Sequence, residues 1–212
     1  MSALSTDAIR TRLNETDPNK RLVISPLLEE ELQAKRGQAA IDVRLGFDFC
    51  VVTASKFGAI TEFDGNRDAP EFGQLYRKEF VPLGSSITMH PHQFFLAQTL
   101  EYLKLPPDLM AYVVGRSTWG RLGLIVATAI GIHPEFAGSL TLELRNLGEN
   151  PLTLLPGQTL AQLFFHDVVD EKGDASTEVS EKAQYAGALD MVPKRLSDDV
   201  THEKLRKLRE GL

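Results

Sequence analysis

The chain has 212 residues, 42% of them hydrophobic and 25% charged, with a formal charge of −6, a composition that excludes a disordered or low-complexity chain. The acidic balance, with no Lys/Arg-rich run before the C-terminal end, argues against a surface for DNA or RNA backbone, while leaving room for a small anion in a locally positive pocket. The single cysteine, Cys50, rules out an intramolecular disulfide, and with no signal peptide and no stretch of about 18 apolar residues the expectation is a cytoplasmic chain that engages neither membrane nor nucleic acid.

In chain order, Ser5 to Glu15 reads as a helix. Ser5 or Thr6 can cap it, Asp7 falls in the first turn, and Ile9 and Leu13 recur at i, i+4. Asp17-Pro18-Asn19 ends it, and a short strand is expected over Leu22–Ser25. Ala40 to Gly46 alternates apolar and polar as a half-buried strand does, and Phe47 to Ala54 continues extended. Residues 55–80 are rich in Gly, Asp, Asn and charge and read as a long loop. From Phe80 onward, short apolar runs alternate with turn residues: Ile87–Met89, Phe94–Thr99, Met110–Val114, Leu140–Leu144, Leu152–Leu155 and Leu160–Phe165. That rhythm predicts a mainly β chain, a barrel or jelly-roll-related body. Arg116 to Leu124 interrupts it as a short helix. The division expected is a barrel with its N-terminal helix over residues 1–168 and a polar C-terminal arm over 169–212, with a charged helix at Thr201–Leu212.

Two stretches carry possible chemistry. Gly115-Arg116-Ser117-Thr118-Trp119-Gly120-Arg121 sets two arginines and hydroxyls between glycines directly after a strand. Backbone amides beside glycine approach a phosphate closely and arginine grips it with a fork of donors, though a glycine-bounded turn with solvated arginines gives the same pattern. In Ser139-Leu140-Thr141-Leu142-Glu143-Leu144-Arg145, the polar residues share one strand face and the leucines the other. That polar face is either solvent or pocket.

Taken together in order and spacing, the segments resemble the dCTP deaminase family of the dUTPase/dCTP deaminase superfamily. Ile24-Ser25-Pro26 is followed by Ala40-Ile41-Asp42-Val43-Arg44-Leu45-Gly46, similar to the family's SVDLRLG. Leu96-Ala97-Gln98-Thr99-Leu100-Glu101 and Leu105-Pro106-Pro107-Asp108-Leu109 follow. Gly115 to Leu124 is similar to GRSSLARLGL, Ile132-His133-Pro134-Glu135-Phe136 to IDPGF, and Thr141-Leu142-Glu143-Leu144 to TLEL. Pro156-Gly157 with Gln162-Leu163 comes last. The resemblance implies a distorted, dUTPase-like β-barrel. It also implies a homotrimer with sites between subunits, closed by the C-terminal arm. The activity implied is hydrolysis of dCTP to dUTP and ammonia.

Residue by residue, the resemblance makes Glu143 the general base for a water that attacks C4 of cytosine, with Ser117 steadying the intermediate. Arg121 is expected to hold Glu143 and keep it ionised. Arg116 and Gln162 match phosphate-facing positions, Thr128 and Ala129 base-facing ones, His133 the sugar position, and Tyr185 a residue of the arm. No protein metal site is expected. Zinc deaminases need an H-x-E…P-C-x-x-C arrangement that one cysteine cannot supply, and Mg2+ would enter bridging the phosphates of the nucleotide. Trp119 is expected to pack on a neighbouring subunit or the arm.

The sequence also departs from the family. His133 stands where the family has aspartate, which weakens the case for triphosphate hydrolysis. The loop Val126-Ala127-Thr128-Ala129 is shorter than the family's base-cradling loop. In the arm, Gln184 and Ala188 replace a usual lysine and glutamine. Two other readings therefore stay open: a dUTPase or bifunctional dCTP deaminase/dUTPase, and a deoxynucleotide-binding regulator or sensor of weak catalytic power.

Overall fold

The computed structural model describes residues 3–27, 38–53, 76–128 and 131–168. The expected arm and terminal helix beyond residue 168, and most of the expected 55–80 loop, lie outside the described residues. No helix among those described is long and apolar enough to cross a membrane.

Helix α1 spans Thr6–Leu13, with the Ser5 hydroxyl accepting the Ala8 N–H at 3.3 Å as its N-cap. Ile9 buries its side chain completely. On the outer side Arg12 reaches Asp108 at 2.7 Å and Asp167 at 2.8 Å, tying the helix to the sheet.

Among the described residues eleven strands follow: β1 Val23–Ser25, β2 Ile41–Val52, β3 Tyr76–Phe80, β4 Ile87–Met89, β5 Phe94–Lys104, β6 Leu109–Gly115, β7 Leu124–Val126, β8 Gly131–Ile132, β9 Ala137–Asn146, β10 Leu152–Leu154 and β11 Thr159–Asp167. A single-turn helix, α2, covers Ser117–Gly120. The main sheet runs β7-β9-β5-β2-β11-β6-β8, with β1 added to β5 and β3 added to β2, and β4 pairs with β10. All the paired strands are antiparallel. β7 lies at one end of this path and β6 near the other, yet a Cβ placed on Gly115 of β6 would sit 3.1 Å from the Val126 methyl of β7. The sheet therefore curls until its ends meet, which is the distorted barrel.

The expected helix and strands are found, several of them longer than the apolar runs alone suggest. The expectation of a loop up to residue 80 is corrected at its end, because Tyr76–Phe80 is a strand paired with β2. β7 and β8 are two further strands that the sequence pattern does not reveal.

The barrel interior is filled by alternate residues: Ile41, Val43, Leu45 and Phe49 from β2, Leu142 and Leu144 from β9, and Leu163 and Phe165 from β11, all fully buried. A register shift in β5 between Gln98 and Tyr102 leaves a gap in the ladder to β9. The buried Thr99 hydroxyl fills it, donating to the Glu101 carbonyl at 2.8 Å and accepting the Leu140 N–H at 2.9 Å. Nearby, Glu101 accepts the Arg44 N–H at 2.8 Å and its Nε–H at 2.6 Å, and an Arg44 terminal N–H reaches the Pro26 carbonyl at 3.1 Å. Cys50 is buried with Leu96 in a second, smaller cluster on the other face of the sheet, with Tyr76 and Phe94 against it.

After α2 the chain passes Gly123 at φ 91°, and a Cβ there would lie 2.5 Å from the Gly148 nitrogen. A left-handed conformation and a backbone crossing coincide at this point, so Gly123→Ala is expected to destabilise by roughly 2–4 kcal/mol, the sum of backbone strain and overpacking. Gly120→Ala, where nothing lies within 4 Å, should stay within about 0.5 kcal/mol. Denaturant unfolding of the two variants side by side checks the contrast.

Candidate active site

Glu143 owes its place to the alternation of β9. Leu142 and Leu144 point into the core, so Thr141, Glu143 and Arg145 face the other way. The chain leaving β7 grips the backbone of Glu143 on both sides. Its carbonyl accepts the Ala127 N–H at 2.7 Å and its N–H donates to the Thr128 hydroxyl at 2.7 Å. The Thr128 Oγ–H thus remains able to donate onward. The carboxyl of Glu143 is half-buried, and burial pushes its pKa up.

Arg121, expected to hold Glu143 ionised, is exposed and makes no side-chain hydrogen bond or ion pair among the described residues. Among the described residues, burial acts on Glu143 without a compensating cation. A carboxyl whose pKa is raised by burial in this way is suited to accept and return protons.

The second group gathers around β2, β11 and the end of β6. The register places Asp42, Gln162 and Val114 side by side on one face. Gln162 Nε2 donates to Asp42 Oδ1 at 2.8 Å, and Arg116 Nη1 pairs with Asp42 Oδ2. Two further bonds strap the turn onto β11: the Arg116 N–H to the Leu160 carbonyl at 2.9 Å and the Trp119 indole N–H to the Thr159 carbonyl at 2.8 Å. Trp119 packs against the core of its own chain, while the arm against which it is also expected to pack lies outside the described residues. Its partner is a backbone carbonyl that no side-chain pattern announces.

The structure brings Arg116 and Gln162 together through Asp42, and Glu143 together with Thr128. Ser117 and Arg121 follow Arg116 in α2 and the turn after it, beside β7, and are solvent-exposed. His133 is exposed just past β8, before Glu135 at φ 62°. Ala129 and Tyr185 lie outside the described residues. Asp42, which joins Arg116 and Gln162, is not singled out by the sequence reading. The one trace of it in the sequence is an acidic residue set among the buried positions of β2. An open cleft of about 660 Å³, lined among others by Arg77, His92, Phe94 and Arg145, lies further along the face of β9 that carries Glu143. It contains none of the expected site residues. Among the described residues no cluster of His, Cys, Asp and Glu is arranged to hold a metal.

A family model described as dCTP deaminase-like matches residues 3–168. A Methanobrevibacter smithii protein named "dCTP deaminase, dUMP-forming" is 36% identical over 166 residues, 78% of this chain and 80% of its own length. A Natronomonas pharaonis dCTP deaminase is 37% identical over 166 residues, with the same coverage of 78% and 80%. Among solved structures, the 2'-deoxycytidine 5'-triphosphate deaminase of Agrobacterium tumefaciens superposes with a TM-score of 0.55 at 23% identity. That match covers 77% of this chain and 48% of the other, and it shows the common fold. The order of motifs, the curled sheet and these matches together place the chain in the dCTP deaminase-like family.

Proposed function

We propose that the protein hydrolyses dCTP to dUTP and ammonia without a protein-bound metal, with Glu143 as general base. The observation that carries this reading is Glu143 itself, a half-buried carboxyl with a raised pKa, on a backbone held at that residue by Ala127 and Thr128. In its ionised form it takes a proton from water, and the oxygen adds to C4 of the cytosine ring. Glu143 passes that proton to the ring nitrogen, takes the second from the added hydroxyl and delivers it to the amino group; the C4–N bond breaks as the C4 carbonyl forms, and ammonia leaves. Ser117 donates a hydrogen bond to the adding oxygen and Arg121 supplies positive charge beside it. Arg116 and Gln162 take the phosphates, Thr128 and Ala129 the base, His133 the sugar hydroxyl, and Tyr185 the closing side over the nucleotide. Magnesium comes with the substrate, held by its phosphate oxygens, and offsets their charge.

In this reading the working unit is a homotrimer with sites between subunits, located in the cytoplasm. Two observations support the assembly. Among the described residues of one subunit no cation meets Glu143, and Val114, Leu122, Ile125 and Leu147 stand 40–55% exposed around the α2 turn and β7, apolar surface of the kind that subunit contacts cover. A second reading, in which dUTP is carried on to dUMP, is favoured by the dUMP-forming relative and opposed by His133 in place of an aspartate.

Incubation with dCTP and separately with dUTP, each with magnesium, followed by chromatography, tests the choice. dUTP formed from dCTP alone is the expected result. dUMP from either substrate would replace it with the bifunctional reading. No product, with dCTP still raising the melting temperature, would leave a nucleotide sensor.

A further inference from the structure

We infer that Asp42 is a positioning residue, whose carboxylate aims Arg116 and Gln162 at the phosphates and so sets affinity for the triphosphate without touching the reacting base. This rests on the reading above that Arg116 and Gln162 take the phosphates.

A carboxylate is an unfavourable neighbour for an anion, so its presence between two phosphate-facing donors calls for a reason. Holding the turn in place is not that reason. The Arg116 N–H to Leu160 and the Trp119 indole to Thr159 already fix its backbone and its base. What Asp42 adds is side-chain orientation. An ionised carboxylate only accepts, so it obliges Gln162 to turn its NH2 group inward, as seen in the 2.8 Å bond from Nε2 to Oδ1. Its other oxygen takes Arg116 Nη1, which fixes the plane of the guanidinium and leaves its remaining N–H donors pointing elsewhere. Two flexible side chains, one from β11 and one from the turn after β6, are thus ordered before the ligand arrives, and the entropy of ordering them is not lost on binding. Asp42 sits between Ile41 and Val43, both fully buried, and opposite Gln162 in the ladder, so its own position is set by the core.

The test uses the full chain and dCTP with magnesium. Asp42→Asn, which is isosteric but puts a donor where both partners are donors, is expected to raise KM for dCTP about tenfold or more, with kcat within about threefold. Asp42→Glu keeps the charge but displaces it by a methylene, and is expected to do the same, which keeps the test open if the Asn variant does not fold. In an Arg116→Ala background, Asp42→Asn should add a much smaller rise, since one of the two side chains it aims is gone. An unchanged or lowered KM in both Asp42 variants would overturn the inference, as would an equal further rise in the Arg116→Ala background. A parent protein that does not deaminate dCTP would instead overturn the proposed function.

Discussion

Glu143→Gln is expected to lower deamination of dCTP by roughly 10²–10⁴-fold, the usual contribution of a positioned proton-transfer group, while leaving dCTP binding within a small factor. Glutamine keeps the shape and the backbone bonds to Ala127 and Thr128 but cannot accept a proton from water. The pH dependence follows from the direction of the shift. Burial raises the pKa of Glu143, so the protonated, inactive form persists to higher pH than for an exposed glutamate. Activity of the parent should fall away as pH drops through that raised value. Stability has the opposite sense. The folded state binds this proton more tightly than the unfolded chain, so ionisation costs stability as pH rises from the ordinary carboxylate range through the raised pKa. The glutamine variant does not carry that cost and should be at least as stable as the parent at neutral pH. Steady-state kinetics and thermal melts across pH check both halves, and a variant that retains more than about a tenth of parental turnover would remove Glu143 from its role.

Glu101→Ala should cause one of the larger losses of stability, about 3–5 kcal/mol, the range for breaking a buried ion pair by removing one partner. Glu101 is 1% exposed and Arg44 14%. Truncation strands the guanidinium and orphans the Arg44 backbone N–H together. A fall in melting temperature on the order of 10 °C corresponds to that loss for a domain of this size. The pair itself is not a large net source of stability. Burial outweighs the bonds from Arg44 and leaves the Glu101 pKa raised, so its ionisation is opposed by folding, and stability is given up as pH rises from the ordinary carboxylate range through the raised value. Replacing both partners, Arg44→Met with Glu101→Leu, is accordingly expected to lose much less than Glu101→Ala alone. Denaturant unfolding of the single and double variants decides this. Equal losses would mean that the two side chains do not act as a pair.

Much of the architecture was legible because it rests on local rules. Ser5 caps α1 as its type and place suggest, and the alternation around Glu143 gives the orientation of β9. What was not legible depends on distant partners. β3, Tyr76-Arg77-Lys78-Glu79-Phe80, is too polar to read as a strand and becomes one by pairing with the outer part of β2. β7 and β8 are too short to show a period. Asp42 and Glu101 look like solvent-facing charges within strands, because Arg116 lies 74 residues away from the first and Arg44 57 residues away from the second. The candidate base was visible as a residue on a face. That its pKa would be raised was not, because the shift comes from burial in the folded chain.

The central place of β2 also orders the molecule in time. This strand is paired with β5, β3 and β11 and carries Ile41, Val43, Leu45 and Phe49 into the core, so its amide protons can exchange with deuterium only when the whole barrel opens. β8 and β7, two and three residues long, should exchange through local fraying. The end of the site built on Asp42 would then hold its hydrogens longest. The end formed by Thr128 and His133 would exchange early, so bound nucleotide should slow exchange most at the base and sugar and hardly at all at the phosphates.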